Sequence, residues 1–339
     1  MKISNYFLFV VLALLLVAAF VLQLLFGSVS IPFADVLKIL SGTEASNETW
    51  KNIILESRLP GALAAVFAGA GLSVSGLQMQ TMFRNPVAGP YVLGISAGAS
   101  LGVALLILAS SAWGINQSVH LYSGWSVILA AGTGAMLIFF VNFFISFRLN
   151  DVVAILIIGL MIGGGISALI EIMQALSSNE ALKRYVLWTF GSFRYVNNTQ
   201  VVYLMAVVSI GIVFSFLLSK QLNLLLLGDN YAISSGLDVR KTKVLIVFAT
   251  SILAGSITAF CGPIGFVGLA VPHLSRSLFK TADHKILIPA NVLLGGVICC
   301  LCNVISATPG TDYVLPVNAI TSLLGAPVVI WIILKQKKM

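Results

Sequence analysis

Charge is what this sequence has least of. Of its 339 residues only 9% are Asp, Glu, Lys or Arg, against 59% hydrophobic, whereas a soluble domain is about 25% charged. The shortage excludes an ordinary soluble globular domain and leaves a polytopic membrane protein. A phosphate loop is also missing: no Gly-x-x-x-x-Gly-Lys-Ser/Thr stretch occurs, so the chain does not bind and hydrolyse ATP by that route. No Ser/His/Asp set, Asp pair or His-Glu-x-x-His stretch sits at membrane depth, which argues against an intramembrane enzyme. Cys261, Cys299, Cys300 and Cys302 are the only cysteines. No His stands at ligand spacing beside them, so they read as small apolar packing residues and no metal is expected on this chain. Acids inside apolar runs are scarce as well. Only Glu171 lies well within one, which is thin support for the relay that an ion-coupled secondary transporter, the alternative reading, would need.

What the chain does have is apolar runs of spanning length. A hydrocarbon core of about 30 Å takes roughly 20 helical residues. The runs predict an all-α integral membrane protein with ten transmembrane helices in one domain over 1–339, near 6–26, 61–83, 92–112, 124–147, 152–175, 201–219, 244–262, 265–279, 288–307 and 317–334. The first run is not read as a signal peptide, because its leading segment holds only Lys2 and no small-x-small cleavage site follows. The eighth is short, with Pro272 inside it and His273 and Arg276 near its end, and charge decides in its favour. With ten spans and both termini inside, thirteen of the nineteen Lys and Arg residues fall on the inner side. Dropping the eighth span would put the basic tail around Lys335 and Lys338 outside, against the positive-inside rule. The net charge of +8 therefore reads as topology, and no nucleic-acid partner is needed. Trp50, Trp113, Trp125 and Trp188 fall at or beyond expected outer ends, where amphipathic rings sit well.

Small residues allow helices to approach closely in lipid. The second span supplies Ala68-Gly-Ala-Gly71 with Ser73, Ser75 and Gly76, and the fifth supplies Gly163-Gly-Gly165, of which Gly163 and Gly164, with Glu171, are also candidates to line a path. The longest inner loop, 221–243, mixes Leu227, Tyr231 and Ile233 with Asp229 and Asp238, and Gly228 and Gly236 delimit a short helix of about two turns. Such an amphipathic piece lies on the bilayer or docks into a partner. Its acids, and the lack of basic residues from Leu222 to Asp238, favour the partner. The outer segment 27–60 reads as a short surface helix over 31–40 followed by loop. Arg84-Asn85-Pro86 closes the second span, Pro86 stopping the helix and Asn85 satisfying freed carbonyls, a local stop. Asn150-Asp151 opens the fifth span as a helix cap favoured by the dipole. A single histidine is not a metal site, so His273 reads as structural.

Several segments together resemble a known family. Arg58-Leu-Pro60, Ser75-Gly-Leu-Gln78 leading to Gln80, Arg84-Asn-Pro-Val-Ala88, Leu93-Gly-Ile-Ser-Ala-Gly-Ala99, Leu227-Gly-Asp229 with Ala232 and Gly236, Gly262-Pro-Ile-Gly-Phe-Val-Gly268 with Pro272-His273, Asp283-His-Lys285 and Leu324-Gly-Ala-Pro327 are similar to the motifs of FecCD-type permeases. These are the membrane subunits of type II ABC importers for iron-siderophores, haem and cobalamin, and the likeness runs in register from about residue 6 to 335. It implies a bacterial inner-membrane homodimer of ten-helix subunits, with the fifth and tenth spans near the axis. It implies two cytoplasmic ATPase subunits that carry ATP and Mg, so that this chain itself holds no cofactor, and a periplasmic or lipid-anchored binding protein. Leu227, Gly228, Asp229, Ala232 and Gly236 are then the ATPase-coupling loop, the Arg84-Asn85-Pro86 turn supports the inner gate or packs against that loop, and Asn150 and Asp151 face their counterparts across the dimer axis as an inner gate, beside or in place of their role as a cap. Ferric siderophore is the first expectation for the cargo, since the family uses it most, with haem and cobalamin behind it. The outer face departs from the family. Arg58 stands where relatives begin Arg-Leu-Pro-Arg, but the second basic position is Gly61, and no basic residue lies between Cys302 and Thr308. Val314 and Asn318 replace the acid and glycine often found near Leu315-Pro316. Arg58 and Arg194 are left as the ionic anchors for the binding protein, and docking is expected to depend only modestly on salt.

Overall fold

The second span is apolar on every side and is packed against protein on nearly every side. The computed structural model describes residues 5–27, 29–43, 47–110, 124–149, 152–307 and 314–336. Its helices are α1 (Asn5–Leu25), α2 (Phe33–Leu40), α3 (Glu48–Asn52), α4 (Leu59–Met82), α5 (Ile95–Ala104), α6 (Gly124–Arg148), α7 (Val152–Leu176), α8 (Asn179–Thr189), α9 (Asn198–Leu217), α10 (Ser219–Leu226), α11 (Asp229–Ser234), α12 (Val239–Cys261), α13 (Val267–Phe279), α14 (His284–Ser306) and α15 (Val317–Gln336). Nearly every side chain of α4 from Pro60 to Met82 is buried. Around it stand α9, α12, α13 and α14, while α5, α6 and α7 pack on one another to one side and α1 lies on α14.

Contact around α4 is made backbone to backbone. A Cβ placed on Gly69 would lie 2.1 Å from the Gly295 carbonyl oxygen of α14, and one on Gly76 would lie 1.7 Å from the Gly268 carbonyl oxygen of α13. Only glycine fits either place. Between them Ser73 Oγ donates to the Asn291 carbonyl oxygen of α14 at 2.8 Å. On the α5–α6 side, buried Asn142 donates to the Leu93 carbonyl oxygen at 2.7 Å, tying α6 to the turn before α5. The outward face of α1, with Phe7, Val10, Leu14 and Val17 and with Tyr6 at its start, is apolar along its length and suits hydrocarbon.

The described chain is all helix and turn. Seven stretches are long and apolar enough to cross a membrane: Asn5–Leu25, Glu48–Met82, Gly124–Ile145, Val153–Leu176, Asn198–Leu217, Val239–Cys261 and His284–Ser306. Ile95–Ala109 and Val317–Ile330 are apolar but shorter, and α13 has 13 residues. Each expected span has a helix at its place, yet seven qualify by length and apolarity alone. The eighth is held short by the glycine and proline before it and by Lys280, which stands in the left-handed region (φ 49°) just after it.

The outer segment holds more helix than the expected 31–40 piece and loop. Asn47 caps α3 by accepting the Thr49 amide at 2.8 Å, and the chain continues through a π-helical turn, Ile53–Arg58, directly into α4. Glu48, Lys51, Glu56 and Arg58 disguise this as loop in an apolarity reading, because a helix outside the hydrocarbon needs no apolar run. Helix α8, capped by Ser178, is hidden for the same reason.

Gly69→Ala should cost about 1–3 kcal/mol by forcing α4 and α14 apart. Gly132→Ala, where nothing lies within 4 Å of the new methyl, should leave stability unchanged or slightly raised. Thermal unfolding of the two purified variants in the same detergent checks the contrast, and equal midpoints would show that the close contact is not what holds these helices.

Candidate functional site

Polar residues gather at the end of the bundle that carries α11. Helix α4 stops at Met82, and Arg84 takes a left-handed conformation (φ 45°), so that the Asn85 amide returns to the Gln80 carbonyl oxygen at 3.2 Å, the turn-closing bond of a helix C-terminus. The freed carbonyl is thus met by the Asn85 backbone. The Asn85 side chain accepts from the Val87 amide at 3.0 Å, which corrects the expectation that this side chain satisfies the carbonyls: an amide oxygen bonded to an N–H two residues on is shaping the next turn. His273 Nε2 donates to the Pro86 carbonyl oxygen at 2.7 Å, tying buried α13, including Pro272, to the same turn.

From this turn Arg84 reaches out to Asp229, the first residue of α11, and its Nη2 bonds Asp229 Oδ1. The other carboxylate oxygen accepts from Lys243 Nζ at 2.9 Å, and the Lys243 side chain is only 7% exposed. One carboxylate therefore joins α11 to α4 and to α12. Partial burial works to raise the Asp229 pKa, but the hydrogen bond and charge of Lys243, with the charge of Arg84, outweigh it and hold the carboxyl below its ordinary value. Gly228 (φ 110°) and Gly236 (φ 83°) make the sharp entry and exit that side-chain-bearing residues would resist. Between them Ala232 is fully buried against the bundle, while Tyr231 and Ile233, and Leu227 just before Gly228, are 54%, 59% and 62% exposed.

A second tie secures α10, which leads into α11. His284, at the start of α14, is buried; its Nδ1 lies 2.7 Å from Asn223 Oδ1 and its Nε2 lies 2.8 Å from Thr81 Oγ1 of α4. Asn223 Nδ2 in turn donates to Asp283 Oδ1 at 2.7 Å. That bond, and the Lys285 amide, hold the Asp283 carboxyl below its ordinary pKa. Sequence reading did not find Asn223, Thr81, Lys243 or His284 as parts of this site. The available signal was buried-type polar residues flanking the Leu227-Gly-Asp229 stretch. The arrangement is a short helix held by side-chain bonds to α4 and α12, with exposed apolar side chains on and beside it.

The sequence profile of the FecCD transport family matches residues 15–335. The chain belongs to that family. Among its relatives, an ABC transporter permease protein of Methanocaldococcus jannaschii is 31% identical over 317 residues, covering 90% of this chain and 89% of that one. The hemin transport system permease protein of Yersinia pestis is 33% identical over 313 residues, with 92% and 90% covered. The vitamin B12 import system permease protein of Salmonella typhi is 33% identical over 285 residues, with 84% of each covered. A solved structure described as an inward-facing conformation of a metal-chelate type ABC transporter superposes with a TM-score of 0.83 at 28% identity, over 97% of this chain and 99% of that one. The protein is a FecCD-family permease subunit of an ABC importer, a multi-pass transporter rather than an enzyme.

At the opposite end of this permease the expected docking charges fare differently. Arg58 is 7% exposed; Nη1 donates to the Leu24 and Leu25 carbonyl oxygens at 2.7 and 2.9 Å, and Nη2 donates to the Val29 carbonyl oxygen. It closes the carboxyl end of α1, so the expectation of an ionic anchor is corrected: carbonyls at a helix end need partners, and the guanidinium is drawn in to meet them. Arg194 is half-buried and makes no ion pair among the described residues. Both amide atoms of buried Gln23 and the Oδ1 of buried Asn303 lack a partner among the described residues, and they share with Arg58 a cavity of about 20 Å³, room for one water molecule. Of the path candidates, Gly163 and Gly164 have no atom within 4 Å of an added Cβ, and Glu171 is exposed on the same helix. Asn150 and Asp151 lie outside the described residues.

Asp229→Asn keeps the shape of the side chain and removes the charge that joins α11 to Arg84 and Lys243. Amide exchange over 229–235 should rise several-fold at pH 7 while α14 is unchanged. In the unmodified protein the carboxylate's contribution should be fully present above its ordinary value of 3.8 and lost as pH falls through the lowered folded-state value. Unaltered exchange in the variant would show that the ion pairs do not hold the helix.

Proposed function

We propose that this permease crosses a bacterial inner membrane ten times, with both termini in the cytoplasm and α11 on the cytoplasmic face, and imports a metal chelate in the class of ferric siderophores, haem and cobalamin. The observation that carries the reading is α11 with its approach: Leu227 just before it and Tyr231 and Ile233 on it are exposed apolar side chains, on a helix anchored by Asp229 to two others, in a chain without a phosphate loop. The energy enters from outside the chain, and a rigid projecting helix is the means of receiving it. Two cytoplasmic ABC ATPase subunits bind ATP and Mg and take α11 into a groove. A periplasmic or lipid-anchored binding protein delivers the cargo to the opposite face.

A second copy completes the path. The glycines at 163–165 leave α7 open, and Glu171 projects one heptad beyond Gly164 on the same face. A carboxylate exposed to hydrocarbon is costly, so this face is best satisfied by water and by a partner copy, with α7 and α15 near the axis. The hemin and vitamin B12 permeases among the relatives, with the metal-chelate type transporter, support the cargo class: a bulky complex with a metal at its centre.

In vesicles containing the whole transporter, uptake should stop with vanadate. Tyr231→Ala should lower it about tenfold or more by removing an aromatic anchor, without lowering the thermal midpoint of the permease. Uptake that survives loss of the ATPase would instead establish an ion-coupled carrier. Labelled ferric siderophore, haem and cobalamin offered in parallel identify the cargo, and transport of none of them would overturn the class.

Arg58→Ala should destabilise the outer end, and binding-protein association should keep its salt dependence in any folded fraction. Arg194→Ala should slow association a few-fold at low salt and little at high salt. Association rates across a salt series separate the two, and a salt dependence abolished by Arg58→Ala would restore Arg58 as an anchor.

A further inference from the structure

Away from α7 and α15, the helices α6, α9 and α12 enclose a groove of about 420 Å³ that transport by this subunit does not use. Its floor is cut by small residues, Gly132 and Ala135 on α6 and Gly255 and Ala259 on α12. Three hydroxyls line it, and each is already bonded to its own helix: Thr133 to the Ala130 carbonyl oxygen at 3.0 Å, Ser251 to that of Val247 at 2.7 Å and Ser256 to that of Ile252 at 2.6 Å. The walls therefore ask nothing polar of an occupant, and an apolar cavity is not a place for water.

Length and depth narrow the occupant further. The lining runs from Ile128 to Phe139 on α6 and from Phe248 to Phe260 on α12, about 17–18 Å at 1.5 Å per residue. That is close to half of a hydrocarbon core of about 30 Å: one leaflet, and too short for a second transmembrane helix. The deep end is closed by Phe139 against Phe248, ring centres 5.8 Å apart. At the other end Trp125 meets Phe260 at 6.3 Å and Tyr203 at 5.5 Å, and both Trp125 and Tyr203 are exposed. Amphipathic rings with exposed faces mark the headgroup level.

We infer that the groove holds one acyl chain of a membrane phospholipid, in the leaflet away from α11, with the glycerol at the level of Trp125 and Tyr203. The chain fills the space between α6 and α12 that neither helix closes. Because α12 carries Lys243 at its far end, a seated chain also steadies the helix that anchors α11.

The test uses the intact permease purified in mild detergent. Native mass spectrometry should find phospholipid retained after washing that strips bulk lipid, one molecule per subunit. Gly132→Leu places a side chain into the groove without a clash, since nothing lies within 4 Å of its Cβ, and should lower occupancy about tenfold, the loss of roughly two methylenes of buried contact. Independently, in bilayers of phospholipid brominated along the acyl chain, emission of the unmodified protein should be quenched in the component that Trp125→Phe removes, and Gly132→Leu should weaken that quenching. Equal retention in the protein and Gly132→Leu would overturn the inference. Disulfide formation between copies through Leu129→Cys, on the groove's exposed rim, would also overturn it by placing this face between subunits.

Discussion

Hydrocarbon offers a buried polar atom nothing, so each must find its partner inside the protein. Much of this fold answers that constraint. Hydroxyls along the spans turn back on their own helices, as Ser75 does to the Leu72 carbonyl oxygen, Thr81 to Leu77 and Ser215 to Gly211. The break between α12 and α13, where Gly262 and Phe266 both have positive φ, is packed against protein. The Cys261 carbonyl oxygen accepts from the Ser192 amide at 2.8 Å, and the Gly265 amide donates to Asn318 Oδ1 at 2.9 Å. Helix breakers survive at membrane depth because neighbouring turns complete their hydrogen bonds, and the same bonds join α15 and the turn after α8 to the break.

Under that constraint a buried charge needs company. Lys243 is nearly buried and would be costly alone; Asp229 makes it acceptable and at the same time joins α12 to α11. Helices α12 and α4 are in turn packed on one another, and α4 meets α13 and α14 through glycine backbones too close to slide without separating. Close-packed interiors move by switching between arrangements and resist gradual deformation. A displacement of α11 is therefore carried into the bundle as movement of whole helices.

The sequence made the apolar architecture legible because membrane spans advertise themselves by composition: among the described residues seven of the expected spans are helices long and apolar enough to cross a membrane. The short helix between Gly228 and Gly236 was legible too, since paired glycines around an amphipathic stretch have few other readings. Helix α3, its π-helical run into α4, and α8 were not, because helices in water carry charges and resemble loops. The ties at the α11 end were half visible. Asp229 was marked by the Leu227-Gly-Asp229 motif, whereas Asn223, Thr81 and His284 are separated by up to 203 positions, and nothing local says that they meet. Arg58 was misread for a related reason: an arginine at a helix start looks like a surface charge until the carbonyls of α1, some thirty residues earlier, are seen to converge on it.

Hydrogen-bond completeness also distinguishes two faces that hydropathy cannot tell apart. The groove between α6, α9 and α12 is exposed and apolar, and its three hydroxyls are all tied back, so lipid can border it at no cost. The face of α7 is equally exposed and nearly as apolar, but it bears Glu171, a carboxylate with no internal partner among the described residues. Leaving that group in hydrocarbon would cost several kcal/mol. The two surfaces are thus built for different neighbours: the first for acyl chains, the second for water and for another protein surface.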